Sequence, residues 1–195
     1  MPTRTKAQQR VETTAALVAA ARELFADKGY GQVSLAEIVD AAGVTKGALY
    51  HYFDGKDALF QAVLEQIHTE VAERIEQATE GLDSWQQLVV GCRTFLTASA
   101  EPHRQQIMLI DAPSVLGWGT WRRLDASTSM QHLIDVLARL VKEGEIPQQP
   151  VVPLAHLLSG AMNEAALWLA GSDHPRRDLK QTLTVLTRLL ESLRT

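Results

Sequence analysis

The chain has 195 residues, 46% of them hydrophobic and 22% charged, and a formal net charge of −4, proportions ordinary for a globular protein with one medium domain or a small one joined to a larger. No apolar run approaches the roughly 18 residues that span a bilayer, and the start, Met1-Pro-Thr-Arg-Thr-Lys6, lacks the apolar core of a signal peptide. A single cysteine, Cys92, excludes an internal disulfide and a cysteine-rich zinc site, so a cytoplasmic protein without a membrane partner is expected.

Helical periodicity runs along the whole chain and no segment alternates as a strand. A first helix over about 7–28 sets Leu17, Ala21, Leu24 and Phe25 on one face and closes at Gly29. Ser34 and Glu37 have capping-box spacing, and Leu35, Ile38, Val39 and Ala42 then share a face. Gly43 supplies a left-handed helix end, Val44 a buried turn residue, and Thr45 a cap for a second short helix with Ala48, Leu49 and Tyr52 inward. Two short helices over a glycine turn are a helix-turn-helix, whose second helix fits the major groove of DNA. A bare αα-hairpin would share that outline. The outward face separates the two, because Thr45, Lys46, Gly47, Tyr50 and His51 are small, cationic or hydrogen-bonding, with no carboxylate from Val44 to Phe53.

Asp54 is placed to cap a long helix of about 55–80, in which Phe60, Val63, Leu64, Ile67, Val71 and Ile75 recur at helical steps. Ser84 and Gln87 suggest a capping box opening a helix to about Ala100. Pro102, Pro113, Gly117 and Gly119 bracket a short helix over about 104–112 and a loop. Helices of about 120–143, 153–170 and 176–193 follow, with Pro153 in a first turn. The expectation is all-α: an N-terminal three-helix helix-turn-helix domain, residues 1–54, joined by the long helix to a larger C-terminal bundle, residues 55–195, about nine helices in total.

The stretches Phe25-Ala-Asp-Lys-Gly-Tyr30, Ser34-Leu-Ala-Glu-Ile38, Ala42-Gly-Val-Thr-Lys-Gly-Ala-Leu-Tyr-His-Tyr-Phe53 and Lys56-Asp-Ala-Leu59 resemble the DNA-binding domain of the tetracycline-repressor (TetR) family of bacterial transcription regulators. The likeness covers roughly residues 10–65; Val39 and Gly55 depart from the family's usual alanine and serine. It implies that Thr45, Lys46 and Gly47 face bases or adjacent phosphates, that Tyr50 and His51 bond the DNA backbone, and that Lys56 grips a phosphate. Ser34, at the start of the first helix of the pair, is grouped with them. It further implies a homodimer on a double-stranded operator, a ligand cavity in the C-terminal domain, and a long helix that shifts when ligand binds.

Charge is divided along the chain. Residues 1–60 hold seven basic and seven acidic side chains, so the acidity lies beyond the reader, while Arg4, Lys6 and Arg10 precede any acid. Leu179, Leu183, Leu186, Leu190 and Leu193 form a heptad-type seam, and the helix before it is apolar on several faces. Both helices suit either the core of one subunit or a four-helix interface across a two-fold axis, with Leu158, Ala161, Ala165, Leu183, Leu186 and Leu190 as interface candidates. Met108, Trp118, Trp121 and Trp168, with Asn163 as a polar anchor and His156 as second choice, are core residues or the wall of a small-molecule pocket. The six histidines have no metal-ligand spacing, and no catalytic or phosphate-loop motif occurs, so no metal, cofactor or enzyme activity is expected. The leading expectation is a homodimeric repressor released from a palindromic operator by a small apolar or amphipathic effector. The alternative is a ligand-independent DNA-binding protein of structural or partner-recruiting role.

Overall fold

The computed structural model describes residues 5–126 and 129–194, and every regular element among them is helical. Helix α1, Lys6–Lys28, opens on a capping box of Thr5 and Gln8 and buries Leu17, Ala21 and Phe25. A 3-10 turn, Tyr30–Gln32, leads to α2, Leu35–Ala42, and α3, Lys46–Tyr52. The long helix α4, Lys56–Thr79, follows. Gly55, not Asp54, holds its cap position, with φ of 140° and no side-chain bond.

Helix α5, Ser84–Ser99, is capped by Asp83, whose carboxylate accepts from Gln86 N at 2.8 Å. The expected Ser84–Gln87 box does not form, because Ser84 turns to Glu143 and the Gln87 amide donates to Leu82 O at 2.9 Å. At α5 an acid directly before the helix outcompetes the serine inside it.

The segment read as a short helix and a loop is a longer helical run: α6, Pro102–Gln105, a π-helical stretch, Gln106–Asp111, and α7, Ala112–Val115. Pro113 does not end it. In a π ladder the N–H of residue 113 would bond Met108 O, and proline has none to give. The Trp121 indole N–H supplies it instead, donating to Met108 O at 2.8 Å. Trp121 is therefore buried for a structural reason.

Helices α8, Trp118–Ala126, and α9, Ser129–Glu143, lie where one helix of 120–143 was expected, on either side of residues outside the description. Helices α10, Val151–Ala170, and α11, Pro175–Glu191, complete the order, with a final 3-10 turn over Ser192–Arg194. Pro150 takes the cap position of α10, which starts two residues before Pro153.

One helix organises the packing. Leu59, Phe60, Val63, Leu64 and Ile67 of α4 are fully buried, and α4 packs against α1 on one side and α5 on the other. Each such side chain contributes about 1.5–3 kcal/mol. The Phe25, Tyr30 and Phe60 rings lie 5.1–5.5 Å apart and bind the start of α4 to the N-terminal helices. Polar contacts extend the junction. The Arg22 guanidinium of α1 grips Glu70 of α4 with both terminal nitrogens, Arg104 of α6 reaches the same carboxylate, and Arg104 also binds Glu101. The Arg22 hydrogen bond, ahead of Arg104, holds the Glu70 carboxyl below its usual pKa.

His68 is the anomaly of α4. It is 2% exposed, neither ring nitrogen has a partner, and burial lowers its pKa from 6.5 to about 4. The unfolded chain therefore takes up a proton below pH 6.5 that the folded chain refuses, so stability contributed by neutral His68 is complete above pH 6.5 and declines as pH falls toward 4. Denaturant unfolding at stepped pH should show a loss approaching about 3 kcal/mol across that window. His68→Leu should flatten it. A decline unchanged in the variant would remove His68 as its cause.

Candidate nucleic-acid interface and a cavity behind it

The reader is built from its caps outward. Ser34 Oγ accepts from Glu37 N at 3.2 Å while the Glu37 carboxylate accepts from Ser34 N at 2.8 Å. Ser34 N–H first, then Lys28, pulls the Glu37 pKa down to about 2. Gly43 stands at φ 65°, ψ 30°, a left-handed conformation costly for a residue with a Cβ, and the Val44 N–H returns to Val39 O at 3.2 Å. That closure turns the chain from α2 into α3. Val44 is half-buried, less than expected, with Leu49 buried and Ala48 and Tyr52 half-buried beneath α3.

Thr45 caps α3, its hydroxyl accepting from Ala48 N at 3.1 Å. Thr45, Lys46, Gly47, Tyr50 and His51 are all exposed, in a segment with no acid from Val44 to Phe53. The Lys46 ammonium lies 6.0 Å from the Tyr50 ring centre. A Cβ on Gly47 would meet only Thr45 Oγ1 at 3.9 Å, so nothing within the chain requires glycine there. Its value is a flat surface toward something outside. Ser34 is exposed too, but its hydroxyl is occupied by the cap. Lys6 and Arg10 are exposed on α1, whereas Arg4 lies outside the described residues.

Lys56 is placed differently from the rest. Its ammonium donates to Val33 O at 2.7 Å and sits 4.0 Å from the Tyr30 ring centre, while the Tyr30 hydroxyl donates to Asp57. Burial, then that bond, raises the Tyr30 pKa. In this geometry Lys56 braces the approach to α2 against α4.

Behind the reader, Asp111 of the π stretch accepts the Tyr30 backbone N–H at 2.8 Å and the Gln106 amide at 3.2 Å. The Gly29 turn (φ 75°) presents that N–H. Deeper in the chain, α4, α5, α9 and α10 enclose about 430 Å³ of empty space, part of it open to solvent. Its wall includes Ile75, Leu88, Cys92, Phe95, Leu133 and Val136, and no charged side chain among the described residues.

The five expected pocket residues are not in that wall. Met108 and Trp121 belong to the π-turn core, while Trp118 and Trp168 are exposed. Asn163 is buried without a partner for either amide atom, one turn along α10 from Ser159, which does line the cavity. His156 is exposed. Of the interface candidates, Leu158, Leu186 and Leu190 are buried in this chain's own core, Ala165 and Leu183 are half-buried, and Ala161 is exposed. Sequence reasoning passed over Ser129 and His132, although a polar pair three residues apart on the apolar stripe of Met130, Leu133 and Val136 was a visible signal.

A capped helix pair with an exposed, acid-free second helix defines a DNA-binding helix-turn-helix protein. The chain matches the tetR family of bacterial regulatory proteins over residues 17–63 and the tetracyclin repressor-like C-terminal domain over residues 85–193. It belongs to the TetR family of DNA-binding transcription regulators. It is 28% identical to the transposon Tn10 TetC protein of Escherichia coli, covering 76% of this chain and 75% of that one. It is 39% identical to the HTH-type transcriptional regulator TtgR of Pseudomonas putida, over 43% of this chain and 39% of that one. Among solved structures, a TetR-family transcriptional regulator from Pectobacterium atrosepticum is 34% identical, with 98% of both chains covered and a TM-score of 0.78. RolR, solved with resorcinol, shares the fold at a TM-score of 0.70 and 21% identity, with 94% of this chain and 90% of that one covered. The matching N-terminal domain family, TtgR and the Pectobacterium atrosepticum protein are all regulators. No described helix is long and apolar enough to cross a membrane.

Lys56→Ala separates a brace from a phosphate contact. A brace predicts a lower melting temperature and operator affinity reduced at every salt concentration, with the slope of log affinity against log salt unchanged. Titration at several salt concentrations checks this: a slope shallower by about one would make Lys56 a phosphate ligand.

Proposed function

We propose that this regulator is a cytoplasmic repressor that binds a palindromic operator as a homodimer and is released from it by a small effector. The observation that carries the reading is the double engagement of α4, which lines the cavity at Ile75 and holds the reader through Leu59 and Phe60. Fifteen residues at 1.5 Å each put those ends about 23 Å apart on one rigid rod. A ligand that moves the rod near Ile75 moves the reader. On this reading residues 1–54 are the DNA-binding domain and residues 55–195 the effector and dimerisation domain.

On DNA, Thr45, Lys46 and Gly47 address base edges or adjacent phosphates, and Tyr50 and His51 donate to the backbone. Ser34 takes part through the exposed start of α2, its hydroxyl remaining in the cap. Two readers at fixed spacing lose simultaneous contact when they separate by a few ångströms. A hundredfold release requires the effector to prefer the non-binding state by about 2.7 kcal/mol. The resorcinol held by RolR is a precedent for a small ring within this fold.

The dimer face is argued from what the chain leaves uncovered. Leu157, Ala161 and Trp168 fall along one side of α10, and Val185 and Leu189 along one side of α11, all exposed. An apolar face that large is unusual on a monomer. With half-buried Ala165 and Leu183 at its edge, it suits four-helix pairing about a two-fold axis.

Selection of bound duplexes from a random pool tests the DNA reading, with an inverted repeat expected. Weak, salt-sensitive binding without a motif would refute it. Sedimentation tests the assembly. The wild type is expected at twice its 21.5 kDa, and Val185→Glu with Leu189→Glu should yield a folded monomer that binds the operator at least tenfold more weakly. A double variant that remains dimeric would place the interface elsewhere.

A further inference from the structure

We infer that the effector is an uncharged molecule of one or two rings that brings a hydroxyl or carbonyl group to Ser129 Oγ and His132 Nε2. This rests on the reading of the cavity as the effector site and adds the chemistry of what fills it. Ser129 and His132 stand three residues apart on α9, hence on one face, and both line the cavity. Ser129 is 8% exposed, and neither its hydroxyl nor His132 Nε2 has a hydrogen-bond partner. Buried polar groups are almost always paired, so two unpaired ones facing the same space mark an interaction the free protein leaves unmade.

Their chemistry defines the complement. A serine hydroxyl both donates and accepts, and Nε2 of a neutral imidazole does either according to tautomer. One ligand hydroxyl can therefore donate to one and accept from the other, and a carbonyl can accept from either. Ser159 adds a hydroxyl from α10, and the wall is otherwise largely aliphatic, aromatic or thioether, from Ile75, Phe95, Met130, Val136 and Met162. The polar ends of Gln87 are already taken by Leu82 O and Arg139. Burial pushes the Cys92 thiol up to about 12, so it brings no charge near neutral pH. With no Lys, Arg, Asp or Glu among the described residues of the wall, an ionic ligand would shed its hydration without a counter-charge from them. The 430 Å³ includes space open to solvent, so it is only a ceiling on ligand size, and compounds of one and two rings fall beneath it.

The test is calorimetry and thermal shift on the full-length protein, with ethylbenzene, 4-ethylphenol, 4-ethylbenzoate and 4-ethylbenzylammonium as the one-ring set. Naphthalene, 2-naphthol and 2-naphthoate form the two-ring set. The neutral hydroxyl compound of at least one set should bind about tenfold more tightly than its hydrocarbon, and at least a hundredfold more tightly than its ions. Ser129→Ala should lower affinity for the hydroxyl compound about tenfold and leave the hydrocarbon unchanged, a difference that a general loss of folding would not produce. A carboxylate that binds more tightly than the phenol or naphthol at pH 7 and above, where it is fully ionised, would overturn the uncharged class and make the cavity an anion site. Hydrocarbons binding as well as hydroxyl compounds would overturn the role of the polar pair. Failure of every compound at both ring sizes would overturn the cavity reading itself.

Discussion

The burial of α4 between two bodies is the constraint on which the rest depends. A helix with one apolar stripe can serve one core, whereas α4 serves two, because it packs against both α1 and α5, with the Phe25 and Tyr30 rings on Phe60 near its start and the cavity of α5, α9 and α10 at Ile75 near its end. Neither body can shift along it without exposing side chains worth about 1.5–3 kcal/mol each. The reader is thus set by a helix whose other end borders a cavity, and mechanical continuity takes the place of a flexible linker.

A second link bypasses α4. The π stretch presents Asp111 to the Tyr30 N–H and Met108 O to the Trp121 indole, while Gln105, directly before it, donates to Ala166 O of α10. One irregular turn thereby touches the reader, the α10 helix and α8. A π turn survives only where its surroundings satisfy it, and here proline removes a donor that tryptophan replaces. Together with Arg22–Glu70–Arg104, it fixes the orientation of the two bodies through geometry more than energy, since half-exposed ion pairs contribute little each.

The electrostatics suit a reader that works in pairs. Residues 1–60 are neutral overall and the chain is acidic, so no broad cationic field draws DNA in. Lys46 lies beside hydroxyl and imidazole donors on a helix free of acids. Contact geometry then matters more than net charge, and a rigid spacing between two such surfaces is worth more than either alone.

Local patterns were legible in the sequence: the all-helical class, the Ser34 and Thr45 caps, the Gly43 turn and the exposed set on α3. Each depends on neighbours within four residues, where spacing is destiny. What tertiary structure decided lies at longer range. Lys56 could not be seen to turn inward, because Val33 O and Tyr30 reach it only once α4 packs. Trp121 could not be told from a pocket wall until Pro113 left Met108 O without its donor. Leu158, Leu186 and Leu190 were indistinguishable from Leu157, Val185 and Leu189, since heptad spacing names a stripe and not which body covers it. Likewise, four helices had to meet before Ser129 and His132 faced an empty space. The sequence alone determined the helical class, the Ser34 and Thr45 caps and the chemistry of the reading face; which side of each helix is spent inside the chain, and which is left exposed, was settled only when distant segments competed for the same apolar surface.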